Sequence, residues 1–266
     1  MYNVTYHRAS SVDDAVKLIG EADEGKFVSG GMTLIPAMKI RLSAPSDLVD
    51  LTHISGLKGV KVDGRNVRIG AATTHAEVAA SRELAAVCPA VTSLAGMIGD
   101  PAVRHRGTIG GSIANNDPAA DYPAALLALG ATVVTNKREI AAEDFFTGLF
   151  ETALDDGEMV TAVTFTAPEK AGYEKFRNPA SRYAIVGVFV AKTGNGVRAA
   201  VTGAGEDGVF RSREIEAALA NTLDASKLDS VTIPSGALMS DIHASADYRA
   251  NLIKVMAKRA VAKANA

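Results

Sequence analysis

The order of hydrophobic and polar positions along this chain predicts a protein built from both helices and strands. Ser11 and Asp14 form a Ser-x-x-Asp capping box, and apolar residues then recur at helical spacing. Short apolar runs on either side of this segment are typical of strands. The opening part therefore predicts strand, helix, strand, helical turn and strand at Tyr2–Tyr6, Val12–Ile19, Lys26–Ser29, Leu34–Arg41 and Asp47–Leu51.

The middle of the chain predicts a hairpin followed by helices and further strands. Val60–Val62 and Asn66–Ile69 are joined at Asp63-Gly64, a dipeptide that favours tight primed turns. Thr74 and Glu77 have the spacing of a second capping box. The remaining pattern predicts helices at Val87–Ile98 and Ala124–Leu129, strands at Ala131–Thr135 and Glu158–Phe165, and a glycine-rich stretch at Arg106–Asp121.

The last third of the chain starts a new pattern after Pro168–Gly172. Ala184–Ala191 is a valine-rich apolar run, and Val197–Val201 follows a glycine turn, so the two predict a strand hairpin. Helices are expected at Arg213–Ala220 and Ala244–Ala264. The whole sequence thus predicts an α+β protein in three sections, residues 1–55, 56–170 and 171–266.

Composition and charge narrow the classes of function. The chain has 266 residues, of which 47% are hydrophobic and 22% charged, as in ordinary globular proteins. Its 28 basic and 30 acidic residues give a net charge of −2, so we expect no nucleic-acid partner. The longest apolar stretch, Pro123–Val134, falls short of the ~20 residues of a membrane span. No secretion signal is recognisable in Met1–Arg8, and we expect a cytoplasmic protein.

The chain contains one cysteine, Cys88. An intramolecular disulfide is therefore excluded, and an iron–sulfur cluster, which needs about four thiolates, cannot be held by this chain alone. The histidines show no metal-ligand spacing, and no nucleophile with its base can be recognised. We therefore predict no metal site and no catalytic side chain.

Two glycine pairs flanked by hydroxyl residues are the strongest chemical signal. Glycines between a strand and a helix let backbone N–H groups approach an anion. One such pair is more often an ordinary turn, but two together can hold one pyrophosphate from both sides. The candidate cofactor-binding residues are Ser29, Gly30, Gly31, Met32, Thr33 and Leu34 in the first segment, and Thr108, Ile109, Gly110, Gly111 and Ser112 in the second.

These two segments and their surroundings resemble the FAD-binding medium subunits of the molybdenum hydroxylases, the family of xanthine dehydrogenase and carbon monoxide dehydrogenase. The resemblance runs along nearly the whole chain. It is carried by Tyr6–Arg8, Gly30–Lys39, Leu48–Leu51, Gly107–Ser112, Asp117–Pro118, Asp121–Pro123, Tyr173–Phe176 and Ser245–Arg249.

The resemblance implies a fold and further site residues. It implies two FAD-binding subdomains of the PCMH type at 1–55 and 56–170. A C-terminal domain at 171–266, similar to that of carbon monoxide dehydrogenase flavoproteins, is expected to carry a three-stranded antiparallel sheet with helices. Asp121 matches an acidic position on the ribityl or adenosine side of FAD, and Lys175 and Tyr183 match positions near the flavin ring. Met32 departs from the family's histidine or glutamine, so its side chain donates no hydrogen bond.

The implied function is that of an electron-transfer subunit carrying FAD, most like a carbon monoxide dehydrogenase medium chain. Electrons are expected to come from an iron–sulfur small subunit beside a molybdenum-cofactor large subunit, in a heterotrimer that can double. The external acceptor stays open between a quinone, NAD and dioxygen. The rival interpretations are a stand-alone FAD-dependent oxidase or reductase and a non-catalytic nucleotide-binding or assembly module.

Overall fold

The computed structural model describes residues 1–266, and its strands form three main sheets that follow one another along the chain. The first is a parallel sheet in the order β1-β3-β2, in which Thr5 pairs with Asp47 and Gly25 with the same aspartate. Its elements are β1 (Thr5–Arg8), α1 (Val12–Glu21), β2 (Gly25–Val28), α2 (Leu34–Lys39) and β3 (Asp47–Asp50).

The first section follows the sequence pattern closely. The Ser11 hydroxyl accepts from the Asp14 N–H and begins α1. The Asp14 carboxylate accepts from Ser10 rather than from Ser11, so only half of the expected capping box forms. Strand β1 starts at Thr5, later than the predicted Tyr2, because pairing with β3 begins there.

The second section holds a five-stranded antiparallel sheet in the order β4-β5-β10-β6-β7, covered by short helices. Its strands are β4 (Val60–Asp63), β5 (Asn66–Gly70), β6 (Thr132–Thr135), β7 (Glu139–Ala141) and β10 (Val160–Thr166). A separate small hairpin is formed by β8 (Phe146–Gly148) and β9 (Glu151–Thr152). The β4–β5 hairpin is confirmed. Its turn lies one residue further along, at Gly64-Arg65, because Asp63 pairs with Asn66.

Seven helices belong to the second section, where the sequence predicted three. They are α3 (His75–Ala80), α4 (Arg82–Val87), α5 (Pro89–Gly96), α6 (Pro101–Arg104), α7 (Ile109–Asn115), α8 (Tyr122–Leu129) and α9 (Ala142–Phe145), with a 3₁₀ turn at Ser55–Leu57. The single helix predicted at Val87–Ile98 is interrupted at Cys88, because a proline disfavours helical backbone at the residue before it. Part of the glycine-rich stretch is helical, since Thr108 caps α7.

The third section is a four-stranded antiparallel sheet in the order β11-β12-β13-β14. Its elements are β11 (Lys170–Arg177), β12 (Ala184–Thr193), β13 (Gly196–Gly205), β14 (Gly208–Arg211), α10 (Arg213–Leu219), a 3₁₀ turn at Ala225–Leu228 and α11 (Ala246–Ala264). The sheet has one strand more than the three that the sequence implied, since the chain turns back at Glu206-Asp207 into β14. Helix α11 packs on β11 so closely that a Cβ on Gly172 would overlap the Ala260 carbonyl.

Buried side chains form one large core and two smaller ones. The large core has 32 residues and joins the second section to the third, since it contains Tyr122 of α8 together with Tyr173 and Phe189 of the last sheet. A core of 17 residues lies between that sheet and α11, and a core of eight holds the first sheet against the second section. The α+β fold is confirmed, and no helix is both long and apolar enough to cross a membrane.

Candidate cofactor site

The two glycine segments meet at a cavity of about 670 Å³ between the first and second sections. This volume lies within the range of about 300–1,000 Å³ that is common for small-molecule sites. Predicted site residues line much of it: Ser29, Gly30, Gly31, Met32, Thr33, Leu34, Thr108, Gly111, Ser112, Asp121 and Tyr183. A larger, more open groove of about 860 Å³ beside the β4–β5 hairpin contains none of them.

The first segment presents backbone donors that the protein itself leaves unused. The N–H groups of Ser29 to Thr33 donate to no backbone carbonyl, because β2 ends at Val28 and α2 begins at Leu34. Gly31 adopts a φ of +69°, a left-handed conformation that turns the chain between strand and helix. Consecutive free N–H groups of this kind form a concave binding site for an anion.

A buried hydroxyl beside these N–H groups also has no partner. The Ser29 Oγ atom is buried, lies at the cavity wall and makes no hydrogen bond in the protein. Such a group is unfavourable unless a ligand or water satisfies it. Gly30 brings the first segment against the second, since a Cβ there would overlap the carbonyl oxygen of Arg106.

The second segment differs from the first because the N–H groups of Ile109 to Ser112 are used within the fold. The N–H of Ile109 donates to the Thr73 carbonyl at 3.1 Å, and that of Gly110 to the Ala71 carbonyl at 2.9 Å. Ile109 and Gly110 do not line the cavity, and a Cβ on Gly110 would lie 2.6 Å from the Ala71 Cβ. Thr108, Gly111 and Ser112 remain at the wall, so this segment can contribute hydroxyls rather than a row of amides.

Asp121 and Lys175 are brought together, but only Asp121 reaches the cavity. Asp121 precedes α8 and is 4% exposed, while Lys175 lies on β11 and is 6% exposed. The Lys175 Nζ atom lies 2.9 Å from Asp121 Oδ1, and the Tyr173 hydroxyl donates a short hydrogen bond to the same carboxylate. Burial raises the pKa of Asp121, and the positive charge of Lys175 opposes that rise.

Tyr183 stands at the mouth of the cavity on the loop before β12. Its side chain is 47% exposed, and the neighbouring Arg182 donates to the Gly99 carbonyl across the mouth at 3.3 Å. Partial burial raises the pKa of Tyr183, and the carboxylates of Asp117 and Asp121 raise it further. The cavity near Tyr183 is therefore lined by carboxylates and an aromatic ring, whereas the first segment lines it with backbone N–H donors.

His75 is a cavity residue that the sequence analysis passed over. It begins α3, is 4% exposed, and its Nδ1 atom has no hydrogen-bond partner. Burial lowers the pKa of His75 to about 4, and the charge of Arg104 acts in the same direction. One sequence feature indicates the position of His75. It directly follows Thr74 of the predicted capping box, so it lies at the beginning of a helix.

The cavity offers the donors that a phosphate-bearing cofactor needs. The free N–H groups of the first segment and the orphaned Ser29 hydroxyl would hold the phosphates, and Asp121 would accept from hydroxyls or ring N–H groups. Such an arrangement suits a nucleotide cofactor whose phosphates lie against the first segment.

Comparison with known proteins gives the family. Residues 2–168 match the profile of the FAD binding domain in molybdopterin dehydrogenase. The chain is 36% identical to the carbon monoxide dehydrogenase medium chain of Afipia carboxidovorans, covering 98% of this chain and 96% of the relative. It is 32% identical to the nicotine 6-hydroxylase medium subunit of Paenarthrobacter nicotinovorans, with 99% and 98% covered.

A solved structure agrees over the same length. Reconstituted carbon monoxide dehydrogenase from Oligotropha carboxidovorans superposes with a TM-score of 0.88 at 33% identity, covering 99% of this chain and 98% of that one. The chain therefore belongs to the FAD-binding domain family of the molybdopterin dehydrogenases. FAD is its cofactor, and it is the flavin-binding part of an oxidoreductase.

Proposed function

We propose that this chain passes electrons through an FAD whose pyrophosphate is held by the N–H groups of Ser29 to Thr33. The observation that carries the proposal is that row of unused donors beside the buried, partnerless hydroxyl of Ser29, all at one cavity. A diphosphate is the ligand whose charge suits such a row of donors.

The remaining predicted residues receive different roles in this proposal. Thr108 and Ser112 supply hydroxyl donors to the phosphates from the second segment, and Gly111 leaves room beside them. Ile109 and Gly110 support the cavity from outside its wall, since their N–H groups attach the start of α7 to Ala71 and Thr73 in the turn after β5. Tyr183 packs against the cofactor at the mouth, while Asp121 is an acceptor in the wall.

FAD, when bound, supplies two-electron chemistry that can also proceed one electron at a time. The chain's own residues bind and orient it, and no side chain of this protein needs to act as a general base. We place an iron–sulfur small subunit and a molybdenum-cofactor large subunit beside this chain, as its family implies. Its single cysteine supports that division, because a cluster needs about four thiolates.

The substrate is set on the molybdenum subunit in this proposal. The two curated relatives are named for carbon monoxide and for nicotine, although both align along nearly the full chain. Medium chains similar to this one thus belong to enzymes named for different substrates. The proposed compartment is the cytoplasm, where the lone cysteine stays reduced.

The test is the absorption spectrum of the purified chain with added FAD, followed by titration of Ser29→Ala. We expect flavin bands that denaturation releases as FAD, and an affinity about tenfold lower in the variant, because one hydrogen bond to the phosphates is lost. The exposed Ser226→Ala is the matched control and should bind as the wild type does.

A folded chain that binds no FAD, alone or with its partner subunits, would contradict the proposal. Co-elution with the iron–sulfur subunit separates a subunit from a stand-alone flavin oxidase, since only the subunit needs a partner to receive electrons.

A further inference from the structure

Three buried polar side chains meet behind the cavity wall, and their arrangement goes beyond cofactor contact. Tyr173 and Lys175 lie on the same face of β11, two residues apart, and both reach the carboxylate of Asp121. Tyr173 is 1% exposed. Of the three, only Asp121 lines the cavity. Tyr173 and Lys175 therefore act on anything in the cavity only through that carboxylate.

The neighbouring strand is shaped to admit this cluster. Gly187 of β12 pairs with Lys175, and a Cβ on Gly187 would overlap the Tyr173 hydroxyl and lie 2.9 Å from the Thr202 methyl group. Any side chain at position 187 would displace the tyrosine hydroxyl from Asp121. A glycine in the interior of a strand weakens that strand, so its presence here marks a close approach.

The energetics explain why all three groups are needed. A carboxylate taken out of water is strongly disfavoured unless a positive charge and hydrogen-bond donors compensate it. Lys175 supplies the charge at 2.9 Å and Tyr173 supplies a donor, so one carboxylate satisfies two otherwise isolated polar groups. The carboxylate still borders the cavity and can accept from a ligand there.

We propose that Lys175 and Tyr173 are positioning residues that hold the Asp121 carboxylate as a fixed, charge-compensated acceptor for the bound cofactor. This inference rests on the proposed function, since it assigns a defined charge and orientation to the Asp121 carboxylate in the wall of the cofactor cavity. Gly187 is the third part of the arrangement, because it provides the space for the Tyr173 hydroxyl.

Other ionisable groups lie near Asp121, and a pH-dependent measurement on Asp121 has to be interpreted with their charges in mind. Burial raises the pKa values of Tyr122 of α8 and Tyr183 at the mouth, and the charge of Asp121 raises both further. Glu174 points away from the cluster and pairs with Lys263 of α11 at 3.0 Å. Asp117 lies at the same cavity. Lys175 is thus the one cation in contact with the Asp121 carboxylate.

The experiment removes the lysine charge and follows Asp121 directly. In the full chain without FAD, Lys175→Met should give an infrared band of a protonated carboxyl at neutral pH. The wild type should lack this band, and so should the double variant Lys175→Met/Asp121→Asn. A lysine whose charge does not compensate Asp121 would produce no band that disappears in the double variant.

FAD binding supplies the second readout. In Lys175→Met we expect the affinity for FAD to rise with pH as Asp121 ionises, by about tenfold for each unit by which FAD shifts the aspartate pKa. The wild type and the double variant should show no such rise. Tyr173→Phe, which keeps Lys175, should weaken FAD binding without the new pH dependence.

The outcomes separate this inference from the proposed function. If the wild type binds FAD while Lys175→Met shows neither the carboxyl band nor the new pH dependence, the positioning role is wrong and the cofactor site stands. If no variant and no wild-type chain binds FAD, the proposed function fails, and the infrared band still decides whether Lys175 compensates Asp121. Should Lys175→Met fail to fold, unchanged FAD binding by Tyr173→Phe would overturn the inference.

Discussion

At the scale of single residues, the site depends on glycines that serve two different purposes. Gly30 and Gly110 occur in similar motifs, yet Gly30 lets the two segments touch at the cavity while Gly110 packs against Ala71 inside the fold. From the sequence, both glycines are predicted to contact the pyrophosphate, because a glycine pair does not reveal which carbonyls lie close to it in the fold. The distinction leads to different expectations for the same substitution.

Gly30→Ala should impair FAD binding more than it impairs folding. Its methyl group would meet the Arg106 carbonyl and push the first segment away from the second. We expect a loss of about 1–3 kcal/mol in the free energy of unfolding, typical of overpacking, together with a loss of FAD affinity. Gly20→Ala in α1 is the control, since nothing lies within 4 Å of its Cβ position. Equal FAD affinity in Gly30→Ala and wild type would contradict the role assigned to this contact.

His75 should make the protein less stable as the pH falls below about 6.5. Its pKa is about 4 when folded against 6.5 when exposed, so the unfolded chain binds the proton between these values. Stability from this residue is complete above the unfolded pKa and is lost as the pH falls toward 4, by about 3 kcal/mol in all.

Urea unfolding of His75→Asn and wild type at several pH values between 4.5 and 7.5 measures that contribution. The difference in free energy of unfolding between the two should shrink as the pH falls. The exposed His243→Asn should track the wild type throughout. A pH-independent difference for His75→Asn would show that the histidine does not titrate as its burial requires.

At the scale of elements, the sequence predicted most helices and strands because their periodicity and caps are local. The capping box of Thr74 and Glu77, the β4–β5 hairpin and α10 all form where expected. The misses have tertiary causes. Helix α7 forms inside a glycine-rich stretch because Thr73 and Ala71 accept from its first N–H groups, and these carbonyls lie in the turn that follows β5.

Helix α11 is attached to the last sheet by a buried arginine. Arg249 is 2% exposed, donates to the carbonyls of Ile185 and Gly203 at 2.5 and 2.6 Å, and pairs with Asp241. Periodicity alone predicted the helix but not this attachment, since Arg249 stands among buried positions as if it were apolar. The guanidinium satisfies two carbonyls next to irregular ends of β12 and β13.

Arg249→Met should lower the free energy of unfolding by about 3 kcal/mol, because the carbonyls of Ile185 and Gly203 and the carboxylate of Asp241 lose their donor. Arg259→Met on the same helix is the matched control, since that side chain is exposed. Thermal or urea unfolding of the two variants checks the difference. Comparable small losses in both would mean that α11 is held by its apolar face alone.

At the scale of the whole molecule, the candidate FAD cavity lies where the first section meets the second. The first segment belongs to the small parallel sheet, whose core has eight residues, and the second belongs to the much larger central core. A ligand that contacts both sections stabilises the folded chain by mass action. The division into domains at 1–55, 56–170 and 171–266 remains a prediction, and the shared core of the last two argues for their folding together.

FAD binding should therefore protect the first section most. At a free FAD concentration of 100 times the dissociation constant, the chain should gain about 2.7 kcal/mol in stability. Hydrogen exchange followed by mass spectrometry should slow most in peptides spanning Ser29 to Leu34, where free N–H groups gain acceptors. Peptides from β13, inside the last sheet, should change least. Uniform slowing along the chain would contradict a ligand held chiefly by the first segment.

The lone cysteine has a practical consequence for following electrons through this protein. Cys88 is 1% exposed, and burial raises the pKa of its thiol to about 11, so it reacts slowly in the folded chain. A cysteine introduced at any exposed position will be labelled almost alone. Spin labels or fluorophores can then be placed singly around the cavity mouth, and distances from each to a paramagnetic partner subunit would map the docking face without first removing a native thiol.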